Sequence, residues 1–315
     1  MVFILYQFAL MVQVANHRQK LQKSTGYPQF ADFIPAGGIA AFLTCFHYAV
    51  KAVCRPIALS VIARKSKWSE EIYQAKISRF GSAVFKLIFF TVFTIQLYAV
   101  LRNAEWMPPE LGGSGSTGRC WLDGFPYQHV DVHLKWCYIV ASGYYVSEVV
   151  FQLLFEWDRP DFREMMIHHT TAAFLLLFSY MMNYTRVGSL VFFVFCCSDI
   201  SSYLVKLTVD TKHKYLTFVV YLSVLASWGY LRLYVLPAHI IYCTWFESMA
   251  LIPDEENLLG WGFFNTLLLV LLVLNLYWYV LLLRMGYHFL SKGETRDMQA
   301  NLTAMDLKKQ QRKQQ

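Results

Sequence analysis

Seven stretches of this 315-residue sequence are apolar over the length that a helix needs to cross a lipid bilayer. The hydrocarbon core is about 30 Å thick, so a helix needs roughly 20 apolar residues to span it. The runs cover residues 36–62, 80–101, 136–155, 165–182, 187–205, 215–236 and 261–287. With 56% hydrophobic and only 16% charged residues, the chain is too apolar for an ordinary soluble domain. The sequence therefore predicts an all-α fold, a polytopic membrane bundle of about seven transmembrane helices.

Three parts are predicted along the chain. Residues 1–35 form an N-terminal segment, interfacial or a marginal span, because the opening apolar run is short and lacks the basic start of a signal peptide. Residues 36–290 form one transmembrane domain without an internal repeat. Residues 291–315 form a basic tail.

The basic residues predict which loops face the cytoplasm, where lysine and arginine concentrate in short loops. They cluster in the connections after the first, third and fifth runs and in the C-terminal tail, whereas residues 237–260 contain none. The tail is therefore predicted to be cytoplasmic. Topology and anionic lipid already account for the formal net charge of +7, so no nucleic-acid partner is implied. The seven cysteines contain no CxxC pair, which argues against a metal site or a disulfide framework.

Ionisable residues inside the apolar runs are candidates for function, because a charge is costly in lipid and usually faces an internal cavity. They are His168, His169, Glu148, Asp199, Lys206, Arg232 and, at a helix end, Arg284.

His168 and Asp199 are predicted to lie at the same depth. Each is about seven residues from the predicted cytoplasmic end of its run, which corresponds to roughly 10 Å. Across two antiparallel helices, Asp199 would orient a neutral His168 imidazole that acts as a base or a nucleophile. Adjacent histidines point about 100° apart on a helix and suit a shared metal poorly. The alternative, a purely structural network of His168, His169 and Asp199, is equally compatible with the spacing.

Several ordered polar segments resemble the ceramide synthases, a branch of the TLC-domain membrane proteins. The segment from residue 120 to 169 begins CWLDGFPYQHV and ends REMMIHH. The resemblance continues through SYMMNYTRVGSLV (179–191), SDISSYLVK (198–206) and RLYVLP (232–237), and it covers about residues 27–296. Loops and polar residues are included, so shared hydrophobicity alone does not explain it.

The resemblance implies N-acylation of a long-chain sphingoid base by a fatty acyl-CoA, giving ceramide and free CoA. The implied catalytic residues are His168, His169 and Asp199. Candidate substrate-binding residues are Arg159, Arg163, Lys206, Arg232, Asn183 and Arg186. Acyl-CoA is a co-substrate, and no cofactor or metal is expected. The other expected partners are membrane lipids and a second subunit in a homo- or heterodimer. The expected location is the endoplasmic reticulum membrane, for which Arg312 and Lys313 resemble a retrieval signal.

Four positions depart from the family pattern. Phe195 and Cys196 stand where the family often has His-Asp, Ala172 replaces a common threonine, and Asn275 replaces a frequent histidine. These departures keep open a non-catalytic TLC-domain protein that binds or senses sphingolipid. A channel or transporter is less favoured, because the two halves of the chain show no repeat.

Overall fold

A computed structural model describes residues 9–14, 17, 27–62, 64, 68–155, 161–252 and 258–292. Within these residues the chain forms seven long helices joined by short connections and one longer loop between the second and third. They are Ile34–Val61 (α1), Glu70–Leu101 (α2), Val132–Phe155 (α3), Phe162–Met181 (α4), Thr185–Thr208 (α5), Lys214–Leu251 (α6) and Trp261–Lys292 (α7). The predicted all-α membrane bundle is thereby confirmed.

Six of these helices, all except α4, are long and apolar enough to cross a membrane. Large apolar side chains on them point outward, such as Val92, Ile95 and Val273, each at least 60% exposed. Outward apolar faces of this length are stable in lipid and not in water. The chain is therefore a multi-pass membrane protein. The first half of α4 carries the polar residues Arg163, Glu164, His168 and His169.

The helix α6 corrects one expectation. A loop was predicted from Pro237 to Gly260, but the helix continues to Leu251. The segment Gly229–Ile241 has wide π-type turns and contains both Pro237 and Arg232. Proline has no N–H to donate, and in an ordinary α-helix its ring clashes with the carbonyl of residue i−4. A locally widened helix can accommodate it. Such widened turns often occur at functional sites.

The end of the bundle that the loop charges predict to be lumenal is held by side-chain anchors. The Asp32 carboxylate accepts hydrogen bonds from Lys135 Nζ at 2.5 Å and from Tyr180 Oη at 2.8 Å. These contacts join the entrance of α1 to the start of α3 and the end of α4. Asn183 then turns the chain from α4 into α5 with a positive φ of 59°, a conformation that asparagine tolerates.

Gly188 allows α5 to approach α3 closely, and it supports a stability prediction. A Cβ at this position would lie 2.1 Å from Tyr138 Oη and 3.0 Å from Ser179 Oγ. Gly188→Ala is therefore expected to lower the free energy of unfolding by about 1–3 kcal/mol through overpacking. Thermal unfolding in detergent measures the change. The control is Gly262→Ala in α7, where nothing lies within 4 Å of the added Cβ; equal melting temperatures of the two variants would contradict the prediction.

Candidate functional site

A cavity of about 150 Å³ lies between six helices, α2 to α7, toward the predicted cytoplasmic end. Its floor contains the intramembrane polar residues, and its mouth contains charged residues near the helix ends. The polar lining side chains are Lys76, Arg79, Tyr144, Tyr145, His168, His169, Asp199, Ser202, Tyr203, Lys206, Asp210 and Arg232. The structure thus brings His168, His169 and Asp199 to one cavity.

The His168 ring lies in an aromatic setting at this cavity. Its centroid is 5.3 Å from that of Trp278 in an edge-to-face arrangement and 6.2 Å from that of Phe195. Its Nδ1 atom is buried and has no hydrogen-bond partner among the described residues. The neighbouring His169 is buried, and its ring lies 5.5 Å from the His168 ring and 6.3 Å from the Tyr145 ring. The aromatic packing restricts how the His168 imidazole can turn.

Asp199 is bound to Arg232 rather than to His168. An Asp199 carboxylate oxygen accepts a hydrogen bond from Arg232 Nη2 at 2.5 Å, and the Arg232 side chain is only 3% exposed. Within the described structure, no hydrogen bond joins Asp199 and His168. The expected orienting contact is therefore not formed. The physical reason is that a buried guanidinium needs an anion and offers a stronger, charge-assisted bond than a neutral imidazole does.

The rest of the Arg232 guanidinium is also held by protein groups. Its Nε donates to Ser198 Oγ at 2.5 Å, its Nη1 to Asn275 Oδ1 at 3.2 Å, and its Nη2 also to the Phe195 carbonyl at 3.2 Å. The guanidinium carbon lies 4.0 Å from the Trp228 ring centroid and 4.6 Å from that of Phe195. We call Arg232 with these contacts the arginine clamp. It joins α5, α6 and α7 directly beside His168.

Two departures from the family pattern belong to this clamp. The Phe195 ring stacks on the guanidinium, and the Asn275 amide oxygen accepts from it. Cys196 is buried next to Phe195 in the same turn of α5. Phe195 and Asn275 therefore both contact the Arg232 guanidinium, and Asp199 is the carboxylate that pairs with it.

The mouth of the cavity contains Lys206 and also Lys76 and Arg79, which the sequence pattern does not indicate as binding residues. Lys76 Nζ lies 2.7 Å from Asp210 Oδ1, and Arg79 lines the cavity one turn further along α2. Lys206 Nζ lies 4.8 Å from the centroid of the Tyr203 ring. Lys76 and Arg79 were interpreted as loop residues, because the apolar run starts only at residue 80. The helix α2 begins ten residues earlier, at Glu70, where Ser69 caps its first turn by accepting from the Ile72 N–H. In the sequence, Ser69 followed by Glu70 and Glu71 is the pattern that indicates this earlier helix start.

The other predicted binding residues occupy different places. Lys206 and Arg232 line the cavity, whereas the exposed Arg163 does not. Arg186 lies at the opposite end of the bundle, where Nη1 binds the Asp123 carboxylate at 2.9 Å and the Arg119 carbonyl at 2.8 Å. Arg159 lies outside the described residues.

Asn183 is likewise at the opposite end, 15 residues beyond His168 and so roughly 22 Å away along the helix axis. It is fully buried, and its Nδ2 donates to the carbonyls of Pro126 and Gln128 at 2.8 Å each. Its contacts hold the loop before α3, and it does not line the cavity.

Glu148, an intramembrane acid noted in the sequence, has a partner that sequence reasoning missed. Lys86 Nζ lies 2.5 Å from Glu148 Oε2, between α2 and α3. Lys86 lies inside the predicted span 80–101, and Glu148 lies inside the next span. A lysine and a glutamate in two neighbouring apolar runs are the sequence feature that indicates such an ion pair. The pair lies outside the cavity lining and supports the wall that carries Tyr144 and Tyr203.

Comparison with known proteins places this bundle in a family. A family model described as TLC domain matches residues 79–284. The chain belongs to the TLC domain family. The match contains every cavity-lining residue except Ile62, Lys76 and Met285.

Several curated relatives resemble the chain over most of its length. Ceramide synthase 4 of Homo sapiens is 31% identical over 229 residues, which is 72% of this chain and 55% of that protein. ASC1-like protein 1 of Oryza sativa subsp. japonica is 29% identical over 267 residues, covering 82% of this chain and 85% of that protein. Ceramide synthase hyl-2 of Caenorhabditis elegans is 26% identical over 242 residues, with 74% and 71% covered. This TLC chain spans about half the length of the human and mouse ceramide synthase 4.

Proposed function

We propose that this TLC-domain protein is an N-acyltransferase that joins the acyl group of a fatty acyl-CoA to a long-chain sphingoid base, giving ceramide and CoA. The observation that carries the proposal is a partly buried histidine, His168, facing a cavity whose mouth is lined by Lys76, Arg79 and Lys206. A fatty acyl-CoA is a thioester with a polyanionic head and an apolar tail, and it fits a cavity with a basic mouth that leads into an apolar bundle. Relatives named ceramide synthase support the same reaction.

The chemistry needs a neutral amine and an acceptor for its proton. The amine attacks the thioester carbonyl, a C–N bond forms, the C–S bond breaks, and the thiolate leaves and takes up a proton. His168 can remove the proton from the ammonium group as a general base, or it can attack first and form an acyl-imidazole. In this proposal, His169 donates a hydrogen bond to the oxyanion. The covalent route gives ping-pong kinetics, so initial rates at varied concentrations of both substrates distinguish the two.

The proposed location is the endoplasmic reticulum membrane, with the C-terminal tail and the cavity mouth on the cytoplasmic side. CoA carries phosphates that cannot enter hydrocarbon, so its head must stay at a polar mouth while the acyl chain enters the bundle. A second, almost entirely apolar cavity of about 30 Å³ lies among α4 to α7. Leu175, which lines it, is two turns beyond His168 on α4, roughly 10 Å. This supports an acyl chain that runs from His168 toward the opposite end.

The basic mouth supports a binding prediction. The double variant Arg79→Ala and Lys206→Ala is expected to raise the KM for acyl-CoA about tenfold, because two charge-assisted contacts to phosphate are removed. The kcat should change little, since neither residue reaches the thioester. Steady-state kinetics in membranes measures both constants. The control is Arg55→Ala, an exposed arginine at the same end of α1 that does not line the cavity. An unchanged KM in the double variant would contradict the assignment of the mouth.

The function itself is tested in membranes from cells that lack ceramide synthase activity. Wild type, His168→Ala and Asp199→Ala are each expressed and supplied with a long-chain base and an acyl-CoA. Ceramide from wild type alone supports the proposal. No ceramide from wild type refutes the enzyme, and equal ceramide from all three leaves an enzyme with a different site.

A second candidate, a non-catalytic sphingolipid-binding or regulatory protein, is favoured by Phe195 and Cys196 standing where the family often has His-Asp. Saturable binding of the long-chain base by the wild type, with no ceramide formed in the same membranes, would support this candidate.

A further inference from the structure

Buried polar atoms of Glu164 and His168, residues four positions apart on α4, lack hydrogen-bond partners among the described residues. They are Oε2 of Glu164 and Nδ1 of His168. Residues i and i+4 of a helix lie on the same face, with Cβ atoms about 6 Å apart. Helical side chains also lean toward the N-terminus, so the His168 ring points back toward the turn that carries Glu164. A glutamate and an imidazole in this relation can reach each other by rotamer changes alone.

The Asp199 carboxylate does not hydrogen-bond His168 Nδ1 in the described structure. Asp199 is engaged by Arg232, and the rings next to His168 are Trp278 at 5.3 Å, His169 at 5.5 Å and Phe195 at 6.2 Å between centroids. Glu164 does not line the cavity, so it lies behind the histidine rather than beside the substrate. This is the position from which a carboxylate orients a catalytic or metal-binding histidine in many proteins.

We propose that Glu164 is the positioning residue for His168, a role that rests on the proposed function. The Glu164 carboxylate accepts a hydrogen bond from His168 Nδ1–H in the reacting complex, which leaves the Nε2 lone pair facing the cavity. The carboxylate also stabilises the imidazolium that forms when His168 takes the amine proton, or the charged acyl-imidazole on the covalent route. Asp199, with the arginine clamp, is then part of the cavity wall.

A helix-stabilising role of Glu164 predicts a different result. An acidic side chain in the first turn of α4 interacts favourably with the helix N-terminus, and its loss would reduce folding without a specific effect on turnover. The two roles separate when kcat and KM are measured per amount of folded protein, determined by size-exclusion chromatography.

The experiment compares wild type, Glu164→Ala and Glu164→Gln in ceramide synthesis. Glu164→Ala is expected to lower kcat about 10- to 100-fold, the usual effect of removing a partner that orients a histidine, with both KM values within about threefold. Glu164→Gln keeps an acceptor oxygen and is expected to regain most of the loss. The matched control is Glu71→Ala, an exposed glutamate in the first turn of α2, which should retain the wild-type kcat.

The outcomes distinguish this proposal from the proposed function. An active wild type with an equally active Glu164→Ala overturns the role of Glu164 and leaves the enzyme intact. If the total activity of the alanine and glutamine variants falls equally and the loss disappears when rates are expressed per amount of folded protein, the role of Glu164 is overturned as well. If wild type forms no amide, the proposed function fails and the role of Glu164 fails with it.

Discussion

Replacing His168 by glutamine is expected to lower kcat for ceramide formation about 1000-fold. His168 is the partly buried imidazole that faces the cavity, and both proposed routes to the amide pass through it. A positioned general base contributes about 10²- to 10⁴-fold to a rate, and a nucleophile is not replaced by an amide. Glutamine keeps polarity and approximate volume, so the bundle should fold. The measurement is ceramide formation by mass spectrometry at saturating substrate, per amount of folded protein.

The matched control for this prediction is His47→Gln. His47 is another intramembrane histidine, buried at 5% exposed, with Nε2 at 2.9 Å from Ser82 Oγ and a ring stacked on Phe85. It does not line the cavity, so the variant should keep wild-type turnover. Equal losses in the two variants would show that His168 matters only for folding, and full activity of His168→Gln would remove it from the mechanism.

Replacing Arg232 by methionine is expected to destabilise the protein by about 3–5 kcal/mol and to abolish turnover. The change leaves the Asp199 carboxylate without its counter-ion and removes the bonds to Ser198, Asn275 and the Phe195 carbonyl. Breaking one side of a buried ion pair costs this much because an uncompensated charge remains. Thermal and denaturant unfolding in detergent measures the loss.

A double variant tests whether the pair is the cause. Arg232→Met combined with Asp199→Leu replaces both charges by apolar groups, and such replacement of a buried pair is often neutral or stabilising. The double variant should therefore be more stable than Arg232→Met alone. Strictly additive losses would show that the two residues act independently in folding.

The fold and the general position of the site could be predicted from the sequence. The number of helices could be predicted from the lengths of the apolar runs. Counting residues from the predicted helix ends placed His168 and Asp199 at the same depth, and both line one cavity in the structure. The partner of Asp199 could not be predicted in this way. Arg232 is 33 positions away on another helix, within the segment of α6 that has wide π-type turns.

The resemblance to a family could not identify which residues line the cavity. Asn183 and Arg186 stand in a segment that matches the family, but their side chains hold the opposite end of the bundle together. A matching segment does not indicate which of its residues face a substrate. The α2 residues Lys76 and Arg79 show the reverse case, because hydropathy alone placed the helix start too late.

The most direct test of the central claim is the stoichiometry of the reaction with purified protein in lipid nanodiscs. A long-chain base and a fatty acyl-CoA are added, and ceramide and free CoA are measured over time for wild type and His168→Gln. We expect wild type to form equal amounts of both products and His168→Gln to form almost none of either. Release of CoA without ceramide, or no CoA release by a wild type that binds the base, would contradict the assignment as an N-acyltransferase.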